Sequence, residues 1–94
     1  MEKLDEKALR EALELLPDWR LEDGKLTRDL VFADFKAAMR FVNHAAEIAE
    51  DANHHPDIDI RYNRVRLGLV THDAGGITRN DTAMAARLSK NDLV

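Results

Sequence analysis

The chain has 94 residues, 45% of them hydrophobic and 34% charged, with a net charge of −4 and no cysteine. That length suits one small domain with a modest core, which gains from burying further surface against another copy. The acidic balance excludes a nucleic-acid binder built on a broad basic surface, and the lack of thiols excludes disulfides, thiolate chemistry and cysteine-based zinc sites.

The opening stretch from Met1 to Asp5 has no apolar run of the signal-peptide kind, and no segment is long and apolar enough to span a membrane. A cytoplasmic protein without a membrane partner is expected. Asp5 is placed to cap a helix whose apolar residues, Leu9, Ala12, Leu13 and Leu16, fall at helical spacing, and Pro17 stops it. Trp19 and Leu21 then alternate with polar residues up to Asp23-Gly24, a strong hairpin signal. The return strand carries Leu26, Leu30 and Phe32 on one parity, interrupted by Arg28. Asp34 caps a second helix running from Phe35 to about Ala52. Its apolar residues are Phe35, Ala38, Met39, Phe41, Val42, Ala45, Ala46, Ile48 and Ala49, a stripe wider than one sheet face requires. The helix either sits centrally over the sheet or turns its second flank to another subunit, and a shared role is preferred.

Pro56 ends that helix, with Asn53-His54-His55 at the junction. Ile58, Ile60 and Tyr62 alternate, as do Val65, Leu67 and Leu69, with Asn63-Arg64 between them as a two-residue turn. Arg61, Arg64 and Arg66 lie in this hairpin beside Asp57 and Asp59, either as a solvated sheet face or as a rim attracting an anionic or electron-rich ligand. Ala74-Gly75-Gly76 breaks the pattern. Thr78-x-x-Asp81 reads as a capping box that opens a last helix with Met84, Ala85 and Leu88 inside. The order αββαββα predicts an α+β fold, a four-stranded antiparallel sheet covered on one face by three helices, as a single domain over 1–94 without a linker or a low-complexity tract.

The second hairpin brings histidines together. With Asn63 and Arg64 as the loop, Tyr62 pairs with Val65, and extending the ladder sets His55 opposite His72, with Cβ atoms about 5 Å apart. His54 stands beside them. Glu50 precedes His54 by one helical turn, and Asp81 follows the glycine loop beyond His72; a carboxylate bonded to an imidazole fixes its tautomer and raises its basicity. Each residue also has an ordinary explanation: a polar helix end, a capping residue, a solvated acid. His44, earlier on the same helix, has no placed partner and is read as structural. The adjacent His54 and His55 diverge in an extended chain, a poor chelating geometry, so no metal is expected. Histidines that titrate near neutrality suit general acid–base work instead.

The pattern Glu50-x3-His54-His55-Pro56-x5-Tyr62-x9-His72-x8-Asp81 resembles the signature of the pterin-4a-carbinolamine dehydratases, also known as dimerisation cofactors of a homeodomain transcription factor. Trp19 before a hairpin, Phe32, Asp34-Phe35 and Tyr62-Asn63 extend the resemblance along nearly the whole chain. It implies a subunit that forms a homodimer or homotetramer through sheet edges and helices. It also implies dehydration of 4a-hydroxytetrahydropterin to quinonoid dihydropterin, with the pterin as substrate, no cofactor, and a functional link to an aromatic amino acid hydroxylase. His54, His55 and His72 would be catalytic, with Glu50 and Asp81 orienting them. Asn53, His54, His55, Val70, Thr71, His72 and Asp73 would line the substrate site. Which histidine gives a proton and which takes one stays open. Ile58 and Ala74 depart from residues found in some eukaryotic members, which weakens any inference of the animal protein's transcription-factor partner. Two other readings remain: a non-enzymatic dimerisation module working through the second helix, for which Phe41 and Ile48 would be the sensitive positions, and a pterin-binding protein of molybdopterin metabolism.

Overall fold

Three helix starts are set by side chains that accept a free backbone N–H. Asp5 accepts from Ala8 N and Asp34 from Ala37 N, each at 2.8 Å. Thr78 and Asp81 form the reciprocal capping box foreseen in the sequence. A computed structural model describes residues 1–90; residues 91–94, the end of the expected domain, lie outside the described residues. The helices are α1 (Glu6–Glu14), α2 (Phe35–Ala52) and α3 (Arg79–Ser89), and the strands are β1 (Arg20–Glu22), β2 (Lys25–Val31), β3 (Asp57–Arg61) and β4 (Arg64–Leu69). Among the described residues the strands form one antiparallel sheet in the order β1-β2-β4-β3, giving the expected α+β architecture.

Period-two alternation decides what each sheet face does. Leu26 and Leu30 of β2 and Val65, Leu67 and Leu69 of β4 all turn inward and are buried with Ala38, Phe41, Val42, Ala45 and Ile48 of α2 and Met84, Ala85 and Leu88 of α3. Phe41 and Ile48 therefore belong to the subunit's own core, and of the wide α2 stripe only Phe35 and Ala46 are exposed. The other sheet face is roofed by ion pairs. Arg66 grips Asp29 with two hydrogen bonds, at 2.7 and 3.1 Å, and Arg20 adds a third to the same carboxylate at 2.8 Å. Arg61 meets Asp59 and Lys25 meets Asp57. Arg61 and Arg66 thus belong to a solvated, ion-paired sheet face.

The first hairpin turns at Asp23-Gly24, both with positive φ, as their sequence requires. The second does not turn where expected. Arg61 pairs with Arg64, so the loop is Tyr62-Asn63, and Tyr62 rather than Asn63 takes the left-handed φ of +54°. Asn63 is committed elsewhere: its carbonyl accepts from Phe32 N at 2.8 Å, and its side-chain amide donates to Phe32 O at 2.9 Å, which adds a rung to the β2–β4 ladder. Ile58 consequently lies opposite Leu67 and Ile60 opposite Val65, and the expected pairing of His55 with His72 does not occur.

Arg28 does not interrupt the inward row of β2 but joins it. Its side chain is buried, Nη2 lies 3.6 Å from Asp18, and Nη1 has no hydrogen-bond partner. A buried charge so poorly matched adds little stability, so Arg28→Met is expected to leave urea stability unchanged or raise it by up to about 2 kcal/mol. On the open face, the hydrogen bonds from Arg66 and then Arg20 hold the Asp29 carboxyl below its ordinary value. Its contribution to stability is present above the unfolded-state value, near 4, and fades as pH falls through the depressed folded value. The carboxylate is nearly half exposed, so that contribution is below about 1 kcal/mol, and Asp29→Asn should flatten this part of the acid limb in pH-dependent urea melts.

Candidate active site

The end of α2 shapes one wall of a cleft. Asn53 adopts the left-handed conformation (φ +50°) as C-cap, its N–H donating to Glu50 O and the His54 N–H to Ala49 O. This reverses the chain before Pro56 and presents His54 and His55 at the mouth of β3. The opposite wall follows β4. Thr71 pairs with Gly76 as an isolated bridge, and its carbonyl accepts from the N–H groups of Ala74 and Gly75, both at 3.1 Å. The short 3-10 turn His72–Ala74 is held at its base by those bonds, and Gly75 (φ +75°) closes it. Between the walls lies a cleft of about 340 Å³ lined by Asn53, His54, His55, Val70, Thr71, His72 and Asp73. That is within the range of small-ligand sites. Two other concavities, of about 350 and 270 Å³, lie on the ion-paired sheet face and carry no histidine.

The carboxylates do not divide as the sequence suggests. Left-handed Asn53 ends the helical spacing, so Glu50 meets His55 rather than His54, with Oε2 2.5 Å from Nε2. That pair is open to solvent, with 78% of the Glu50 side chain and 55% of the His55 side chain exposed. His54 is 15% exposed and meets Asp81, which is wholly enclosed, with Nε2 2.5 Å from Oδ1. The second oxygen of Asp81 accepts the Thr71 hydroxyl at 2.8 Å and the Thr78 N–H at 2.8 Å. Oδ1 is therefore left for His54. An ionised carboxylate can only accept, so the Nε2 of His54 carries a proton and Nδ1 is the nitrogen that faces no carboxylate. His72 is exposed at the rim, and His44 lies on the exposed side of α2 away from the cleft.

All seven residues expected around the substrate therefore share one cleft, and both expected acids touch a histidine. His54 and His55 are each committed to a different carboxylate. Among the described residues, no three histidine or acidic side chains gather as metal ligands. The sequence reading missed the hydroxyls of Thr71 and Thr78, which meet at 2.8 Å beneath Asp81. The available signal was a threonine just past the apolar run of β4, seven residues before the helix cap Thr78.

Residues 2–91 match the family described as Pterin 4 alpha carbinolamine dehydratase. The chain belongs to that family. A relative from Acidobacterium capsulatum, provisionally named pterin-4-alpha-carbinolamine dehydratase, is 58% identical over 94% of this chain and 96% of its own. One from Chloroflexus aurantiacus with the same provisional name is 53% identical over 96% of this chain and 97% of its own. Among solved structures, a transcriptional coactivator/pterin dehydratase from Brucella melitensis superposes with a TM-score of 0.89 at 39% identity, covering 94% of this chain and 96% of its own. A pterin dehydratase-like protein described as a RuBisCO assembly factor of the alpha-carboxysome shares the fold, with a TM-score of 0.64 at 23% identity over 76% of this chain and 84% of its own.

Within this family member the two acids differ sharply in what they hold. Asp81→Ala removes half of the α3 capping box and strands three buried or partly buried donors, and should cost about 2–4 kcal/mol in urea denaturation. Glu50→Ala removes an exposed pair and should stay within about 0.5 kcal/mol of wild type.

Proposed function

We propose that this protein dehydrates a 4a-hydroxytetrahydropterin to the quinonoid dihydropterin and water by histidine acid–base catalysis. The observation that carries the reading is the enclosed Asp81–His54 pair facing a small cleft that two further histidines share, in a chain of this family. In the reaction the proton on N5 leaves to a base, and its electron pair forms the N5–C4a double bond. The C4a–O bond breaks, and the hydroxyl leaves as water with a proton from an acid. His54 suits the base: Asp81 holds its Nε2–H, so Nδ1 is the nitrogen free to accept, and the buried carboxylate stabilises the imidazolium that forms. His72 suits the acid, since it is exposed and recovers its proton from solvent. His55 would hold the pterin ring and assist, oriented by Glu50. Backbone groups from Asn53 to His55 and from Val70 to Asp73 would meet the polar edge of the ring.

The same reading assigns the protein to the cytoplasm as a homodimer or homotetramer recycling the cofactor of an aromatic amino acid hydroxylase. No helix among the described residues is long and apolar enough to cross a membrane. Among the described residues, the exposed Phe35 of α2 and the edge strands β1 and β3 are surfaces that would suit association. A non-enzymatic interaction role through α2 has less support here, because Phe41 and Ile48 are buried in the subunit's own core. A pterin of molybdopterin metabolism would meet the same cleft and differ only in its side chain.

Dehydration of 4a-hydroxytetrahydropterin followed by ultraviolet absorbance is the test. Wild type should accelerate it with no effect of a chelator, and His54→Ala and His72→Ala should each lower kcat by roughly 10²-fold or more. A well-folded wild type that gives no acceleration over the spontaneous reaction would leave the interaction module standing.

A further inference from the structure

The hydroxyls beneath Asp81 form a chain with only one consistent direction. Thr71 Oγ1 lies 2.8 Å from both Asp81 Oδ2 and Thr78 Oγ1. The carboxylate oxygen has no proton to give, so the Thr71 hydroxyl must donate to it. Thr71 Oγ1 then has only lone pairs for Thr78, and the Thr78 hydroxyl donates to Thr71. Thr78 Oγ1 in turn accepts the Asn80 N–H at 3.2 Å, while its direct approach to Asp81 Oδ2 is long, at 3.5 Å. Donors therefore run from the first turn of α3 through Thr78 and Thr71 to Oδ2. With Oδ2 also taking the Thr78 N–H, the carboxylate cannot rotate without breaking two bonds, and Oδ1 stays aimed at His54 Nε2.

Resting on the acid–base reading above, we propose that Thr71 is a positioning residue for the reaction. Its hydroxyl locks Asp81, and through Asp81 it holds His54 in the tautomer that keeps the Nδ1 lone pair for the substrate. Thr71 is suited to this because its backbone is pinned to Gly76 while its side chain turns under the cleft it helps to line. One residue thus couples the turn that carries His72 to the carboxylate that orients His54.

The test pairs steady-state kinetics with 15N NMR of histidine-labelled protein for wild type, Thr71→Val, Thr71→Ser and Thr82→Val. Wild type should show His54 protonated at Nε2 only. Thr71→Val keeps the shape but loses the hydroxyl; His54 should become a mixture of tautomers, and kcat should fall about tenfold while KM changes little, the scale of an outer orienting contact. Thr71→Ser should restore both the spectrum and the rate. Thr82→Val, which removes a hydroxyl that among the described residues bonds only Arg79 O, should behave as wild type. If Thr71→Val retains the wild-type His54 signals and kcat, the proposal is wrong. It is equally wrong if Thr71→Val and Thr71→Ser lose rate alike with His54 unchanged, since that would make Thr71 only a wall. A wild type without dehydratase activity would count against the functional reading, while the tautomer of His54 in Thr71→Val would still decide the role of Thr71.

Discussion

A carboxylate with no exposed surface has to be surrounded by donors, and at Asp81 those donors come from three separate stretches of chain. His54 follows the end of α2, Thr71 follows β4, and Thr78 is the cap of α3. Burying the charge without them would be costly, so each stretch is held where it can donate. The same bonds that close the N-terminus of α3 therefore bring together the two walls of the cleft. Stability and the geometry of His54 rest on one side chain.

The three histidines differ in how firmly they are held, and that difference matches a division of labour in the proposed reaction. His54 is mostly buried and bonded to a fixed acceptor, which in the proposed reaction sets its tautomer before substrate arrives. His55 leans on a solvent-exposed acid, and His72 rides an exposed turn held at its base by Thr71. A held base and a solvent-exchanging acid suit a dehydration in which one proton is taken and another delivered at neighbouring atoms. The open sheet face has a different character: its charges are spent on one another around Asp29.

Most of the fold was legible because its signals are local. Asp5, Asp34 and Thr78-x-x-Asp81 cap helices through contacts within three residues, and Asp23-Gly24 specifies its own turn. Alternation along β2 and β4 identified the inner face, though not that Arg28 would share it. The second hairpin was misjudged because the preference of Asn63 for a left-handed backbone gave way to its long-range bonds with Phe32, leaving Tyr62 to adopt that conformation. The same kind of limit applies to the site. The histidines and acids could be gathered from spacing, but the left-handed turn at Asn53 decides that Glu50 reaches His55 and Asp81 reaches His54. The threonine pair under Asp81 joins two places that lie apart in the sequence, a strand end and a helix cap.

In the proposed reaction a pterin sits between His54, His55 and His72. Titration of histidine-labelled protein with a stable dihydropterin, followed by 15N NMR, tests it with His44 as an internal reference on the outer side of α2. The signals of the three cleft histidines should shift together and saturate while His44 stays still. Saturable binding that leaves all three unmoved, or that perturbs only residues of the Arg61 and Arg66 sheet face, would contradict it.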